Sequence, residues 1–316
     1  MTPSLRTSTD SVKTKGIFLR LLRLLLGLLF LFSAVLKIVD IDPFEIYVYS
    51  YHFFSFDVSC LVARLAIVLE LVLGICLIFN FFHKLIWWGS VLMLLGYSCL
   101  MVYALVKGRT DNCHCFGEFL QFSPLQSLLK NLVLLLMFVP LYRSGGRSFR
   151  GQWPVLIGVA VACLLAVFLV SPPVLLTRES ESGQVVCRSM FEEALHDEPL
   201  SEMGLERGKK MVCVFSVRCD YCKLAARKLS VMQHHLGFPG QDVVYVFMGS
   251  GEEVPSFFTE SESAAYSYVI YEDVRRLLSI VKGRFPAIVL LEEGEVVHVY
   301  GYSDMDEREI NKFFRE

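Results

Sequence analysis

The chain has 316 residues, 54% of them hydrophobic, with a mean hydropathy of +0.51 and a net charge of −2. A mean this high excludes an ordinary soluble domain as the account of the whole chain. Charge is also uneven: positions 1–176 hold 14 Lys+Arg against 8 Asp+Glu, and positions 177–316 hold 16 against 24. A basic apolar part followed by an acidic ordinary part predicts a membrane domain and then a soluble domain, and neither has the basic stripe of a nucleic-acid binder.

Residues 1–15 read as a polar N-terminal tail. A spanning helix needs roughly 20 mainly apolar residues. Five stretches qualify: 16–38, 58–79, 85–106, 124–141 and 153–175. The first is too long for a signal peptide's apolar core and lacks a convincing cleavage site, so it reads as a helix that stays. Basic residues set the orientation. Arg6, Lys13, Lys15, Arg20, Arg23, Lys84, Arg143, Arg147 and Arg150 fall on one side. Lys37, Lys107 and Arg109 fall on the other. This predicts a cytoplasmic N-terminus in the inner membrane of a bacterium. Five crossings then put everything after 176 in the periplasm, together with the loop between the third and fourth stretches.

That loop contains Cys113-His114-Cys115-Phe116-Gly117. Two cysteines one residue apart close a cramped ring, and such a disulfide is easily reduced, which suits transfer better than stapling. Lys107, Arg109 and His114 favour thiolate locally. The competing chemistry is metal: Cys113, His114 and Cys115 offer soft or borderline ligands for copper(I) or zinc. Adjacent residues do not easily all face one ion, which counts against it. Four charges, Lys37, Arg64, Glu70 and Lys130, lie in or near the spans, and an ionisable group in lipid points to function. The expectation is that Lys37, Arg64 and Lys130 lie beneath the cysteine loop with Glu70 as counter-charge, as candidate contacts for a cofactor. A structural ion-pair cluster that fixes helix register is the alternative.

The ten cysteines do not form a disulfide scaffold, because Cys76, Cys99 and Cys163 sit mid-span as small packing residues. Cys60 opens the second stretch on the outer side and reads as packing, a third partner for Cys113 and Cys115 being the alternative. Cys187 and Cys213 could pair, but no spacing argument supports it.

Residues 176–206 read as a polar linker. Beyond them, strands are expected at 209–217, 242–248, 286–291 and 296–300, with helices at 221–236, 272–281 and from Asp306. This is an α/β sandwich with a mixed sheet. Cys219-Asp220-Tyr221-Cys222 falls where the first strand gives way to a helix. There the first thiol meets unsatisfied N–H groups and the positive end of the helix dipole, which favour its thiolate. The second lies one turn on, in reach of a mixed disulfide on the first. Cys219 is the expected nucleophile and Cys222 the resolving thiol. Half a zinc site is the bland alternative, but a second ligand pair is missing nearby, since His234 and His235 stand at the far end of the helix. Arg218 either adds charge stabilisation to the Cys219 thiolate or is simply solvated.

The Cys-Asp-Tyr-Cys motif, with Phe285-Pro286-Ala287-Ile288-Val289-Leu290-Leu291 about 65 residues on, resembles the thioredoxin-like family over 207–316. The resemblance implies that Pro286 is a cis-proline beside the reactive cysteine. The residues before the first cysteine and before the proline, Arg218 and Phe285, depart from thioredoxins proper. In the membrane part, 32–45 (F-S-A-V-L-K-I-V-D-x-x-x-F-E), 69–74 (L-E-L-V-L-G), the Cys-His-Cys-Phe-Gly loop and 130–135 (K-N-L-V-L-L) resemble the DoxX/MauE group of four-helix membrane proteins. The fold expected is therefore a four-helix DoxX/MauE-like bundle (16–145) and a fifth spanning helix (153–175), followed by a thioredoxin-like domain (207–316). MauE-like proteins are implicated in maturing periplasmic proteins that need disulfides, beside a separate thioredoxin-like partner. Here that partner is fused. The bundle is also similar in outline to vitamin K epoxide reductase-like proteins, in which a quinone sits against a cysteine pair; this is an analogy of architecture. Together these imply a thiol–disulfide oxidoreductase acting on periplasmic client thiols, with a quinone as a chemically matched two-electron partner. A dedicated maturation factor for one client is the alternative, and a copper handler a further one.

Overall fold

The computed structural model describes residues 6–107, 123–143, 152–172 and 186–316. The chain forms two compact units, one from 1–48 and 61–172, the other from 49–60 and 173–316.

The first unit is helical: α1 (Arg6–Val39), α2 (Ile41–Tyr49), α3 (Phe56–Phe79), α4 (His83–Val106), α5 (Pro124–Phe138) and α6 (Gln152–Val170), the ends of α2 and α3 that flank 49–60 lying in the second unit. Among the described residues, four helical segments are long and apolar enough to cross a membrane: Lys15–Val39, Phe56–Phe79, His83–Val106 and Trp153–Val170. The expected span at 124–141 is a helix over 15 residues, Pro124–Phe138. That is about 22 Å, short of a hydrocarbon core of about 30 Å. Its start is fixed by a capping box, in which the Gln126 N–H donates to Ser123 Oγ and the Ser123 N–H donates to Gln126 Oε1. At its end Pro140 has no N–H for the Leu136 carbonyl, and the chain runs on in turns closed by Val139, Leu141 and Tyr142. Likewise α6 stops at Val170, ahead of Pro172-Pro173, rather than reaching 175.

Leu26, Ala34, Ala63, Ile67, Cys76, Phe138 and Val167 are buried in the helical core. Rows such as Ile17, Phe18, Leu21 and Leu24 point outward, as lipid requires. Helices α1 and α3 meet at two glycines. A Cβ on Gly27 would lie 2.9 Å from the Gly74 carbonyl oxygen and 2.6 Å from Ile78 Cγ1, and one on Gly74 would lie 3.0 Å from the Gly27 carbonyl oxygen. Small residues let two backbones approach where lipid supplies no hydrophobic drive. Helices α4 and α5 are joined by Trp87 Nε1, which donates to the Phe138 carbonyl at 2.8 Å.

The second unit has a five-stranded sheet: β1 (Lys209–Ser216), β2 (Val243–Met248), β3 (Ser267–Ile270), β4 (Ala287–Glu292) and β5 (Glu295–Tyr300). The order is β3-β2-β1-β4-β5, with β1–β2 and β2–β3 parallel and β1–β4 and β4–β5 antiparallel. Its helices are α7 (Arg188–Leu195), α8 (Asp220–Leu236), α9 (Val254–Ser261), α10 (Val274–Ile280) and α11 (Glu307–Arg315). This is the thioredoxin-like arrangement. The central strands are apolar on both faces because both are covered. On one face Val212, Val214, Val244, Val246 and Val289 pack with α7 and α10. On the other, Phe215, Tyr245 and Phe247 stack against Phe257 and Phe258 of α9.

Three elements here were not foreseen. β3 has four residues on a sheet edge, too few for an alternating pattern. α9 is two turns long. α7 lies inside the stretch 176–206 read as a linker, and with Leu200 and Leu205 it buries Phe191 and Leu195 in the domain core. Residues 49–60 also belong to this unit. The Phe56 N–H donates to Glu307 Oε2 at 2.8 Å, the Phe56 ring lies 3.8 Å from Lys228 Nζ, and the imidazoles of His52 and His235 approach to 3.2 Å.

Replacing Gly74 by Leu, or Gly27 by Val, is expected to force α1 and α3 apart and cost about 1–3 kcal/mol or more. Thermal unfolding of the detergent-solubilised chain measures this. An unshifted midpoint in both variants would contradict the close crossing.

Candidate redox site

Cys219 is the N-cap of α8, with extended backbone angles, and its thiol accepts from the Cys222 N–H at 3.3 Å. Cys222 follows one turn later, fully buried, and accepts from the Ser216 N–H at 3.4 Å. The helix forms here because Ala225, Ala226, Leu229 and Met232 give it a buried stripe against the sheet. The preceding loop is held from behind by Gly249, at φ 143°, where a Cβ would lie 2.4 Å from Val217 Cγ2. A side chain at 249 would displace the residues leading into Cys219.

The two thiols are unlike. Cys219 is half-exposed, and its pKa is lowered to about 6. The largest cause is the hydrogen bond from the Cys222 thiol, aided by the N–H groups of Cys222 and Tyr221 and opposed by partial burial. Cys222 is pushed far up, first by burial and then by its neighbour. One thiol is thus poised as thiolate while the other stays protonated. Both are free. Arg218 is an exposed side chain, as one of the two expectations had it, and its Nε donates to Glu253 Oε1 at 3.0 Å, so the guanidinium is engaged with that carboxylate and water rather than with the thiolate. Glu253, at the start of α9, was not anticipated, since nothing in its sequence position marks it as a partner for residue 218.

The Phe285–Pro286 peptide is cis. The antiparallel register pairs Val214 with Ala287, which places Pro286 beside the end of β1 from which the chain enters Cys219. An exposed Tyr221 faces Tyr302 with ring centroids 5.7 Å apart, giving the site an aromatic rim that sequence spacing did not reveal. Cys213 is wholly buried in β1, with its thiol pushed up by burial. Cys187 is a free thiol at the N-cap of α7.

Cys113, His114 and Cys115 lie outside the described residues. The four membrane charges are described, and they divide. Lys37 Nζ donates to both Glu70 oxygens, at 2.6 and 2.7 Å, in a buried pair, and to the part-buried Ser33 Oγ at 2.8 Å. Lys130 lines the same cavity as Lys37 and Glu70. Arg64 does not join them. It pairs with Glu45 of α2 and donates to the carbonyls of Ser171 and Pro172, each at 3.1 Å, which satisfies the open end of α6. The expected four-residue group is therefore three residues around a cavity plus a separate Arg64–Glu45 clasp. Among the described residues no group of three or more His, Cys, Asp or Glu is placed to hold a metal ion.

Residues 15–143, within the helical part, match the family model described as methylamine utilisation protein MauE. The chain is 26% identical over 303 residues to Protein TlpB of Flavobacterium psychrophilum, covering 79% of this chain and 82% of that one. Two solved structures are similar to part of the chain. The thioredoxin domain of a thiol-disulfide oxidoreductase from Bacteroides vulgatus is 19% identical, covering 35% of this chain and 83% of that one, with a TM-score of 0.30. A thiol:disulfide interchange protein from a Bacteroides species is 15% identical, covering 36% and 78%, with a TM-score of 0.29. The chain is a multi-pass membrane protein whose helical part is similar to MauE and whose second unit has, by its strand order, a thioredoxin-like fold.

Two outcomes follow. Alkylation of Cys219 by iodoacetamide should rise tenfold per pH unit up to a midpoint near pH 6 and level off above it, with Cys222 inert in the folded protein. Mass spectrometry of pH-quenched samples reads this, and a midpoint near the ordinary 9 would contradict the hydrogen-bonded thiolate. Separately, Lys37→Met leaves Glu70 buried and unpaired, with an expected loss of about 3–5 kcal/mol. The double variant Lys37→Met/Glu70→Leu should lose less than either single change in detergent unfolding.

Proposed function

We propose that the chain is a membrane-bound thiol–disulfide oxidoreductase. Its Cys219/Cys222 pair exchanges disulfides with periplasmic client proteins, and it relays electrons to or from Cys113/Cys115 in the membrane domain. The observation that carries the proposal is the asymmetry of the first pair: a thiolate-prone, half-exposed Cys219 beside a protonated, buried Cys222 at a helix N-terminus. Attack by Cys219 on a client disulfide forms a mixed disulfide, and Cys222 displaces the client thiol. The reverse sequence donates a disulfide. Pro286 and the Tyr221–Tyr302 rim flank the client's approach. The second dithiol passes the same two electrons to a lipid-soluble carrier, a quinone being matched in electrons and protons. The excess of basic residues at 6–23, at 84 and at 143–150 supports a cytoplasmic N-terminus in a bacterial inner membrane, and with the short α5 counted as a fifth crossing the thioredoxin-like domain lies outside.

A second reading, a maturation factor dedicated to one periplasmic client, is favoured by the similarity of the helical part to MauE. Breadth of clients separates the two.

Cys222→Ser leaves Cys219 able to attack but not to be resolved. Non-reducing electrophoresis and mass spectrometry of this variant should show a Cys219 disulfide to Cys113 or Cys115, lost when those are Ser. Mixed disulfides formed with other proteins alone would refute the internal relay.

A further inference from the structure

Tyr221, Lys228 and His235 stand seven residues apart on α8, so they form one stripe along the helix. Tyr221 is exposed beside Cys219, whereas Lys228 is buried. Each meets a ring from outside the helix. Tyr302 faces Tyr221, Phe56 lies over the Lys228 ammonium at 3.8 Å, and His52 stacks on His235 with centroids 5.1 Å apart. Phe56 and His52 come from the stretch that joins α2 to α3. Helical side chains lean toward the helix N-terminus, and Lys228 extends that way to the turn 301–306 between β5 and α11. Its Nζ donates to the Met305 carbonyl at 3.4 Å and lies 5.7 Å from the Tyr302 ring centroid. The Gly301 N–H donates to Asp304 Oδ1 across the same turn. A buried ammonium is held by the groups it touches, because no water replaces them. Its placement therefore fixes the turn it touches.

We infer that Lys228 is a positioning residue for client docking: covered by Phe56, it holds the 301–306 turn so that Tyr302 stands against Tyr221 at the approach to Cys219. The cation–π contact with Phe56 ties this arrangement to the stretch between α2 and α3. The two tyrosine rings give the nucleophile an apolar flank, which suits an extended client segment with an aromatic residue beside its cysteine. Lys228 acts on docking and not on the thiolate, whose hydrogen bonds come from Cys222 and Tyr221. The inference deepens the oxidoreductase reading above and rests on it for its role.

The reduced full-length chain in detergent micelles is mixed with the glutathione mixed disulfides of two short peptides, one with Phe and one with Ser beside its cysteine. The Cys219 thiolate attacks the disulfide, Cys222 displaces the thiol held on Cys219, and peptide and glutathione both leave as thiols while the protein pair becomes the disulfide. Acid quenching and mass spectrometry follow the loss of the Cys219 thiol. The parent should half-saturate with the Phe peptide at a concentration about fivefold lower than with the Ser peptide. Lys228→Met and Phe56→Leu should each raise the Phe-peptide value about fivefold, with the limiting rate and the alkylation of Cys219 by iodoacetamide unchanged. Hydrogen exchange at 301–306 should rise about tenfold in both variants. Lys228→Met/Tyr302→Ala should half-saturate as Tyr302→Ala alone does, since Lys228 acts through that ring. Variants with the parent's half-saturation and hydrogen exchange, a loss confined to the limiting rate, or additive effects in the double variant would overturn the inference. Should Lys228→Met fail to fold, Phe56→Leu decides it. A parent that exchanges with neither peptide would refute the oxidoreductase reading, and hydrogen exchange at 301–306 would still decide whether Lys228 holds the turn.

Discussion

A charge placed among apolar helices has to be met by another charge and by hydrogen bonds, and that requirement organises the membrane unit. Lys37 on α1 reaches Glu70 on α3 with every donor used, and Arg64 on α3 ties Glu45 of α2 to the exposed carbonyls at the end of α6. Sliding one helix by a single residue, roughly 1.5 Å, would break either set. Non-directional packing of leucines against leucines sets no such register. The glycine crossing at Gly27 and Gly74 brings α1 and α3 close enough for the short reach between Lys37 and Glu70. Burying such a pair is weak support for stability, since desolvation offsets much of the attraction. Its contribution here is geometric, and it leaves a polar pocket that apolar packing would have closed.

In the thioredoxin-like unit the same economy appears at a helix end. One turn of α8 gives two cysteines opposite environments, one under the N–H groups at the helix start and one sealed beneath it. A single thiol with mid-range exposure would be neither a good nucleophile nor a protected resolver. Gly249 behind Val217 and Glu253 on Arg218 fix the loop that aims Cys219 outward. Arg218 is consumed by that structural contact, so the lowered pKa of Cys219 owes nothing to a neighbouring cation and comes from hydrogen bonds.

Much of this was legible in the sequence where a pattern spans many residues or a motif has fixed chemistry. The apolar stretches, the Cys219–Cys222 spacing at a strand–helix junction and the proline before β4 all fall in that class. Elements that span only about two periods gave too little pattern to be read: β3, α7 and α9 have four to eight residues. Long-range partnerships escaped for a different reason. Nothing local distinguishes Lys37 from Arg64 as the mate of Glu70, and the residue that claims Arg64, Glu45, stands 19 positions away in a helix read as a connection. The Cys113–Cys115 loop lies outside the described residues.

Residues 49–60 give the chain an unusual path, because it enters the second unit, leaves it and returns more than a hundred residues later. The ring of Phe56 covers the ammonium of Lys228, which is 1% exposed, and Glu307 takes the Phe56 N–H. A gene boundary drawn ahead of the thioredoxin-like domain is therefore not a boundary in the folded protein. A domain transplanted between relatives at that point would carry a lysine adapted to an aromatic lid that stayed behind. Such an exchange would part His52 and Phe56 from Lys228, His235 and Glu307, so the fused architecture is harder to take apart by recombination than its linear order implies.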